Sequence, residues 1–401
     1  MKRNLLNALL AFALLLTSSV GTSVHANIEQ LKTLNDQVET LYKQGNYDRA
    51  LEVANQSLSL AEKSFGPNHP DVALSLNNLA FLYDAKGQYA KAEPLYQRSL
   101  AIGEKTLGPN HPDVATSLNN LAELYRTQGK YAKAEPLYRR SLSIKEKALG
   151  PNHPDVATSL NNLSLLYAAQ GKYAKAEPLY QRALGINEKA LGPDHPHSTL
   201  SFNNLADLYY KQGLYAKAEL LYQRALEKNE KALGPNHPLV ALGLNNVARI
   251  YFTQGQYAKA KPLLQRALEI NEKALGPNHP HVALGLNNIA QIYFNQGQYA
   301  KAELLYQRAL AISEKTLGPN HPDVALSLNN LAFLYNAQGQ YAKAEPLYQR
   351  SLAIRERTLG PNHPDVANSL NNLAKLYLAT NRNNEADQLQ RRAKAILDAK
   401  R

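Results

Sequence analysis

Apolar residues recur along this chain at three- and four-residue spacing, in short runs separated by Gly and Pro. Between Pro70 and Gly108, residues Leu76, Leu79, Ala80 and Tyr83 mark one face of a helix. Gly87 stands where a helix needs a left-handed residue to end. Tyr89, Ala92, Tyr96, Leu100 and Leu107 then mark a second helix, closed by Gly108, and Pro109 and Pro112 forbid its continuation. The pattern predicts helices of about 16 and 19 residues, joined by connections so short that the two must pack antiparallel.

This unit repeats without insertion or deletion. Gly-Pro stands at Gly66, Gly108, Gly150, Gly192, Gly234, Gly276, Gly318 and Gly360, always 42 residues on. Seven copies read Gly-Pro-Asn-His-Pro, and the copy at Gly192 reads Gly-Pro-Asp-His-Pro. Units are expected to start near Ile28, Asp71, Asp113, Asp155, His197, Leu239, His281, Asp323 and Asp365. Ala80 and Ala92, with their counterparts, are small where helices must approach closely, and Ser164 is the mild exception. One pair cannot bury both of its apolar faces, so stacking is what makes the unit fold. Pro94, Pro136, Pro178, Pro262 and Pro346 fall in the first turns of the second helix, where a local kink is expected, and Leu220 and Leu304 replace them elsewhere. The first pair lacks the repeated Asn-Asn, and the last carries Asn381-Arg382-Asn383 for the turn glycine and a polar final helix, as capping units do.

The first 26 residues follow a different logic. Lys2 and Arg3 precede an apolar stretch from Leu5 to Leu16, interrupted by Asn7, and Val24-His25-Ala26 precede an expected cut before Asn27. Twelve helical residues rise about 18 Å, short of the roughly 30 Å hydrocarbon core of a bilayer. A signal peptide over residues 1–26 is therefore expected, with residues 27–401 forming a single repeat domain. The expected destination is periplasmic or secreted, with no membrane span after cleavage. The charge falls from +12 to +10 in the mature chain.

Composition fits the copied unit. With no Cys, the chain has no disulfides, thiolate metal sites or cysteine nucleophile. The absence of Trp, and 24 Tyr against 7 Phe, are the bias that copying one short unit leaves. About 400 residues would ordinarily suggest two or three domains, and the unbroken period overrides that expectation.

The motif Leu76-Asn-Asn-Leu-Ala-x-Leu-Tyr83, Gly87-x-Tyr89-x-x-Ala92 and Leu107-Gly-x-x-His-Pro112 resembles tetratricopeptide repeats of the kinesin-light-chain type. The resemblance covers nearly all of the chain after the leader. It implies an all-α fold, a right-handed α-solenoid of tetratricopeptide-like helix–turn–helix repeats with about nine helix pairs. The chain shows no amino-terminal coiled coil of the kind that joins kinesin light chains to a motor, so no motor-adaptor role is expected.

Comparing copies within the chain separates scaffold from candidate surface. Asn77, Asn119, Asn161, Asn203, Asn245, Asn287, Asn329 and Asn371 each precede a second asparagine. By resemblance the second packs between helices and the first faces a concave groove, where an amide can pair with the backbone of an extended peptide. The competing reading is that both tie neighbouring repeats together. Two neighbouring rows diverge: Phe81, Glu123, Leu165, Asp207, Arg249, Gln291, Phe333 and Lys375, then Asp84, Arg126, Ala168, Tyr210, Phe252, Phe294, Asn336 and Leu378. Phe81, Phe252, Phe294 and Phe333 are candidate pockets for partner side chains, against the alternative that they line an inner wall. Asp84, Glu123 and Asp207 against the later Lys211, Arg249 and Lys375 suggest a charge gradient favouring a partner with an acidic segment.

Other signals carry less. The histidines at 69, 111, 153, 195, 237, 279, 321 and 363 stand one per loop, too far apart to share an ion. His69-Pro70-Asp71 matches the J-domain tripeptide, but here it recurs as loop chemistry and drifts to His-Pro-His and His-Pro-Leu. No phosphate loop, nucleophile elbow or His-Glu-x-x-His occurs, so neither an enzyme nor a cofactor is expected. Basic residues of the Lys91, Arg98 and Lys105 type alternate with Glu93 and Glu104 on the second helix, which reads as a solvated face and not as a nucleic-acid site. The expected function is a non-enzymatic scaffold that binds an extended partner segment in its groove. The alternative is an assembly element of the cell envelope without such a groove.

Overall fold

A computed structural model describes residues 21–398, with side chains from residue 26 onward. The expected leader stretch Leu5–Leu16 lies outside the described residues. Every regular element among them is an α-helix, 18 in all, arranged as nine consecutive pairs. The chain divides into two compact units. One extends to Pro151, excepting 127–131, and the other comprises 127–131 and everything from Asn152 on.

The first unit carries α1 (Gly21–Lys43), α2 (Tyr47–Phe65), α3 (Pro70–Ala85) and α4 (Tyr89–Leu107), then α5 (Pro112–Thr127) and α6 (Tyr131–Leu149). The second carries α7 (Pro154–Ala169), α8 (Tyr173–Leu191), α9 (Pro196–Lys211), α10 (Tyr215–Leu233), α11 (Pro238–Thr253) and α12 (Tyr257–Leu275). It continues with α13 (Pro280–Asn295), α14 (Tyr299–Leu317), α15 (Pro322–Ala337), α16 (Tyr341–Leu359), α17 (Pro364–Ala379) and α18 (Asn383–Asp398). Helices α3 to α17 alternate between 16 and 19 residues, as the spacing predicts. Helix α1 begins seven residues before Ile28 and runs through Ala26 and Asn27, because no proline or glycine after Gly21 stops it.

Local chemistry sets these boundaries. Each odd-numbered helix from α3 to α17 opens on Pro, and the histidine before it is the cap: its Nδ1 accepts the amide two residues on, at 3.0–3.3 Å in all eight loops. Helix α3 closes in a Schellman turn, the Gln88 amide donating to Tyr83 O at 2.8 Å and the Gly87 amide to Asp84 O at 2.9 Å. Gly87 takes φ +67° there, a conformation that penalises any Cβ. In the last pair Asn381 takes that place at φ +61°, since asparagine tolerates the left-handed region better than other side-chain-bearing residues.

The core is built from small and aromatic residues. Ala80, Ala92 and their counterparts are fully buried, as is Ser164, whose hydroxyl donates to Leu160 O at 2.7 Å. Tyr96, Tyr138, Tyr180, Tyr222, Tyr306 and Tyr348 are among the largest buried side chains. The prolines of the second helices do not interrupt them: α4 continues through Pro94 to Leu107. Leu220 and Leu304, which replace proline in α10 and α14, are 52% and 67% exposed, so this position faces water and the substitution costs no packing.

The 19-residue helices are tied by ion pairs between successive repeats, a more specific arrangement than the solvated face expected from sequence. Within the first unit Arg98 reaches Glu62 and Arg140 reaches Glu104. Within the second, Arg266 reaches Glu230, Arg308 reaches Glu272 and Arg350 reaches Glu314, all five at 2.6–2.7 Å. Such half-exposed pairs contribute about 0.2–1 kcal/mol each.

Candidate partner-binding surface

The asparagine rows lie on the 16-residue helices, one pair of amides per repeat. In four repeats the second asparagine reaches back to the first asparagine of the preceding repeat. Asn120 Nδ2 donates to Asn77 Oδ1 at 2.9 Å, Asn246 to Asn203 at 3.3 Å, Asn288 to Asn245 at 3.4 Å and Asn372 to Asn329 at 2.9 Å. The first asparagine also bonds forward in places: Asn161 donates to Ser201 Oγ at 3.3 Å and Asn287 to Ser327 Oγ at 3.1 Å. In the copies with Gly243 and Gly285 the serine is missing, and Asn245 donates instead to Ala241 O at 2.9 Å.

Both asparagines therefore engage between repeats, and the first is not reserved for an outside partner. Asn77, Asn119, Asn161, Asn203 and Asn287 are buried, whereas Asn245, Asn329 and Asn371 are half-exposed. The Oδ1 atoms of Asn161 and Asn287 are buried without a hydrogen-bond donor.

The two divergent rows behave differently in the two units. In the first, Phe81 is 2% exposed and its ring lies 4.9 Å from Tyr42, so it belongs to the core and offers no pocket. Glu123 accepts from Arg126 Nε at 2.8 Å, from its Nη2, and from the Tyr138 hydroxyl at 2.6 Å. Burial pulls the Arg126 guanidinium down, but Glu123 outweighs it and holds the cation above its ordinary range. Burial and the Glu123 charge push Tyr138 well up.

In the second unit the rows carry half-buried rings. Tyr210, Phe252 and Phe294 pack on Tyr215, Tyr257 and Tyr299 at 5.6, 5.4 and 5.6 Å, and Phe294 meets Phe333 at 5.1 Å. Phe333 is 39% and Leu378 42% exposed, and Lys375 is exposed. Tyr210 and Thr253 share a hydroxyl bond of 2.7 Å. Arg249 lies over the Tyr210 ring at 4.4 Å and donates to Asp207 and to the Tyr222 hydroxyl. This corrects the expected charge gradient: Asp207 and Arg249 neutralise each other in place, and Lys375 is left as the exposed charge of that row.

Sequence reasoning missed a third divergent row, buried between repeats: Gly103, Lys145, Asn187, Asn229, Asn271, Ser313 and Arg355. Asn187 donates to Ser201 Oγ at 3.1 Å and Arg355 to Ser369 Oγ at 2.8 Å. Its signal is the copy-to-copy variation itself, and nothing local marks these polar residues as buried. Among the described residues no group of three or more acidic or histidine side chains is placed to hold a metal, and no helix is long and apolar enough to cross a membrane.

Known proteins can now be set beside this geometry. A tetratricopeptide-repeat family model matches eight overlapping windows, residues 29–105, 71–147, 119–189, 164–231, 198–273, 239–315, 281–356 and 323–399. The chain belongs to the tetratricopeptide-repeat family. A Podosopora anserina structure, described as a candidate kinesin light chain with nearly identical repeats, is 30% identical over 51% of this chain and 97% of that one, with a TM-score of 0.43. A Rap protein complexed with competence and sporulation factor shares the fold, with a TM-score of 0.61 at 15% identity over 93% of this chain and 99% of that one. An RxLR effector protein of Phytophthora infestans is 43% identical over 53 residues, 13% of this chain, which spans 16% of that relative's length. Solenoids of this family usually mediate protein–protein contacts and are typically non-catalytic.

Proposed function

We propose that this chain is a non-enzymatic scaffold that binds an extended segment of a partner protein along the 16-residue helices of its second unit. The observation that carries this reading is the row Phe252, Phe294, Phe333 and Leu378, kept apolar and partly open to water beside half-exposed Asn245, Asn329 and Asn371. Exposed rings of this kind give an extended segment side-chain pockets, and the amides offer donors and acceptors to its backbone. Lys375, and the outer edge of the Arg249–Asp207 pair, suit an acidic residue of the partner.

The test is peptide capture from a displayed random library by the full chain and by a variant with Phe294→Ser and Phe333→Ser. The expected result is lost capture with helicity and melting nearly unchanged. Equal capture by a folded double variant would overturn the reading. Export through residues 1–26 is part of the proposal, and mass analysis of the mature amino terminus checks it, with Asn27 expected as the first residue.

A further inference from the structure

A second set of contacts recurs where one repeat meets the next through a tyrosine. Tyr125, Tyr209, Tyr251 and Tyr335 each donate their hydroxyl to a glutamate of the preceding repeat, Glu93, Glu177, Glu219 and Glu303, at 2.8–2.9 Å. A lysine of the same repeat lies over each of these rings at 5.1–5.4 Å: Lys133, Lys217, Lys259 and Lys343. The constellation is thus a lysine, a ring and a carboxylate, with the charges balanced.

One copy breaks it. At Tyr293 the lysine is present, Lys301 at 5.5 Å, but the preceding repeat carries Lys261 in place of glutamate. The Lys261 ammonium lies 4.6 Å from the ring centroid. Two cations therefore share one aromatic face or edge, and among the described residues no carboxylate is recorded against either lysine or the Tyr293 hydroxyl. Lys301 is exposed, Lys261 and Tyr293 are half-buried, and Lys301 donates only to the Gln298 side chain at 3.0 Å. A lysine serving solubility alone would not need to displace a hydrogen-bonded carboxylate, because these helices carry many fully exposed positions.

We propose that Lys261, Lys301 and Tyr293 form a docking site for an acidic segment of a partner protein, whose carboxylate takes the place held by glutamate in the other repeats. The two ammonium groups and the hydroxyl donor are complementary to an Asp or Glu side chain. This site goes beyond the apolar row and does not depend on it.

The experiment titrates a fluorescent oligo-glutamate peptide onto the full chain at low salt. Wild type should bind, and Lys261→Glu, which restores the constellation of the other repeats, should weaken binding about tenfold while leaving the fold intact. Glu303→Lys, which sets a second lysine beside Tyr335 and Lys343, should tighten it. Phe294→Ser with Phe333→Ser should leave it unchanged, which separates this site from the apolar row. Absence of binding by wild type, or equal binding by Lys261→Glu, would overturn the proposal. So would capture of phosphatidylserine vesicles in place of the peptide.

Discussion

In the first unit, positions 81, 123 and 126 are consumed by packing. Phe81 is buried beside Tyr42, and Arg126, Glu123 and Tyr138 close on one another. In the second unit the same rows hold half-buried rings, an exposed lysine and a looser ion pair whose members are 41% and 36% exposed. The helices and caps are the same in both, so the difference does not come from the backbone. Each ring meets an aromatic side chain of the preceding repeat, Tyr42 at 4.9 Å for Phe81 and Phe294 at 5.1 Å for Phe333, yet only Phe81 is closed off from water. One repeat design can therefore yield rigid scaffold or accessible surface through a few side chains.

The largest expected effect tests this contrast directly. Phe81→Ala should cost about 3–5 kcal/mol, the usual range for emptying a buried phenylalanine site. Phe333→Ala should change stability by no more than about 0.5 kcal/mol, as a surface substitution does. Urea unfolding followed by helicity measures both, and similar costs would erase the distinction.

A smaller difference is expected between the two charge clusters. Glu123→Gln leaves the enclosed Arg126 cation uncompensated, at a cost of roughly 3 kcal/mol. Asp207→Asn removes the partner of a more open Arg249 and should cost about 1 kcal/mol or less. Comparable losses, read from the same unfolding curves, would mean that enclosure does not separate the two clusters.

Alkaline pH sharpens the comparison further. Burial, reinforced by nearby carboxylates, raises Tyr96 and Tyr138 well above 10.0, and burial raises Tyr222, Tyr306 and Tyr348 as well. A tyrosine whose folded value lies above its unfolded value contributes fully below pH 10, and that contribution is lost as pH rises through the folded value. Stability should thus hold to about pH 10 and then fall. Spectrophotometric titration should show these buried tyrosines ionising late. Uniform ionisation near pH 10 with helicity retained would contradict this burial pattern.

Much of the fold was legible because backbone chemistry fixes it. Gly87, Pro70 and the histidine before it set helix ends whatever the tertiary context, and Asn381 announced its role as a glycine substitute. The site was less legible, since exposure depends on the neighbouring repeat. Nothing local distinguishes Phe81 from Phe333. The tie between Asp207 and Arg249 was visible in principle, as opposite charges one repeat apart in one row, but single-site reading took them as a gradient. By resemblance only the first asparagine of each pair faces a groove, with the tying of neighbouring repeats as the alternative, and the hydrogen bonds engage several of these first asparagines between repeats.

The central claim is that the partner segment lies along the first helices of the second unit. Hydrogen–deuterium exchange of the full chain, alone and saturated with a captured peptide, tests it most directly. Added protection should fall on the side of α11, α13, α15 and α17 that carries Asn245, Phe252, Phe294, Phe333 and Leu378, with α3 unchanged. Protection confined to the 19-residue helices or to the first unit would contradict it.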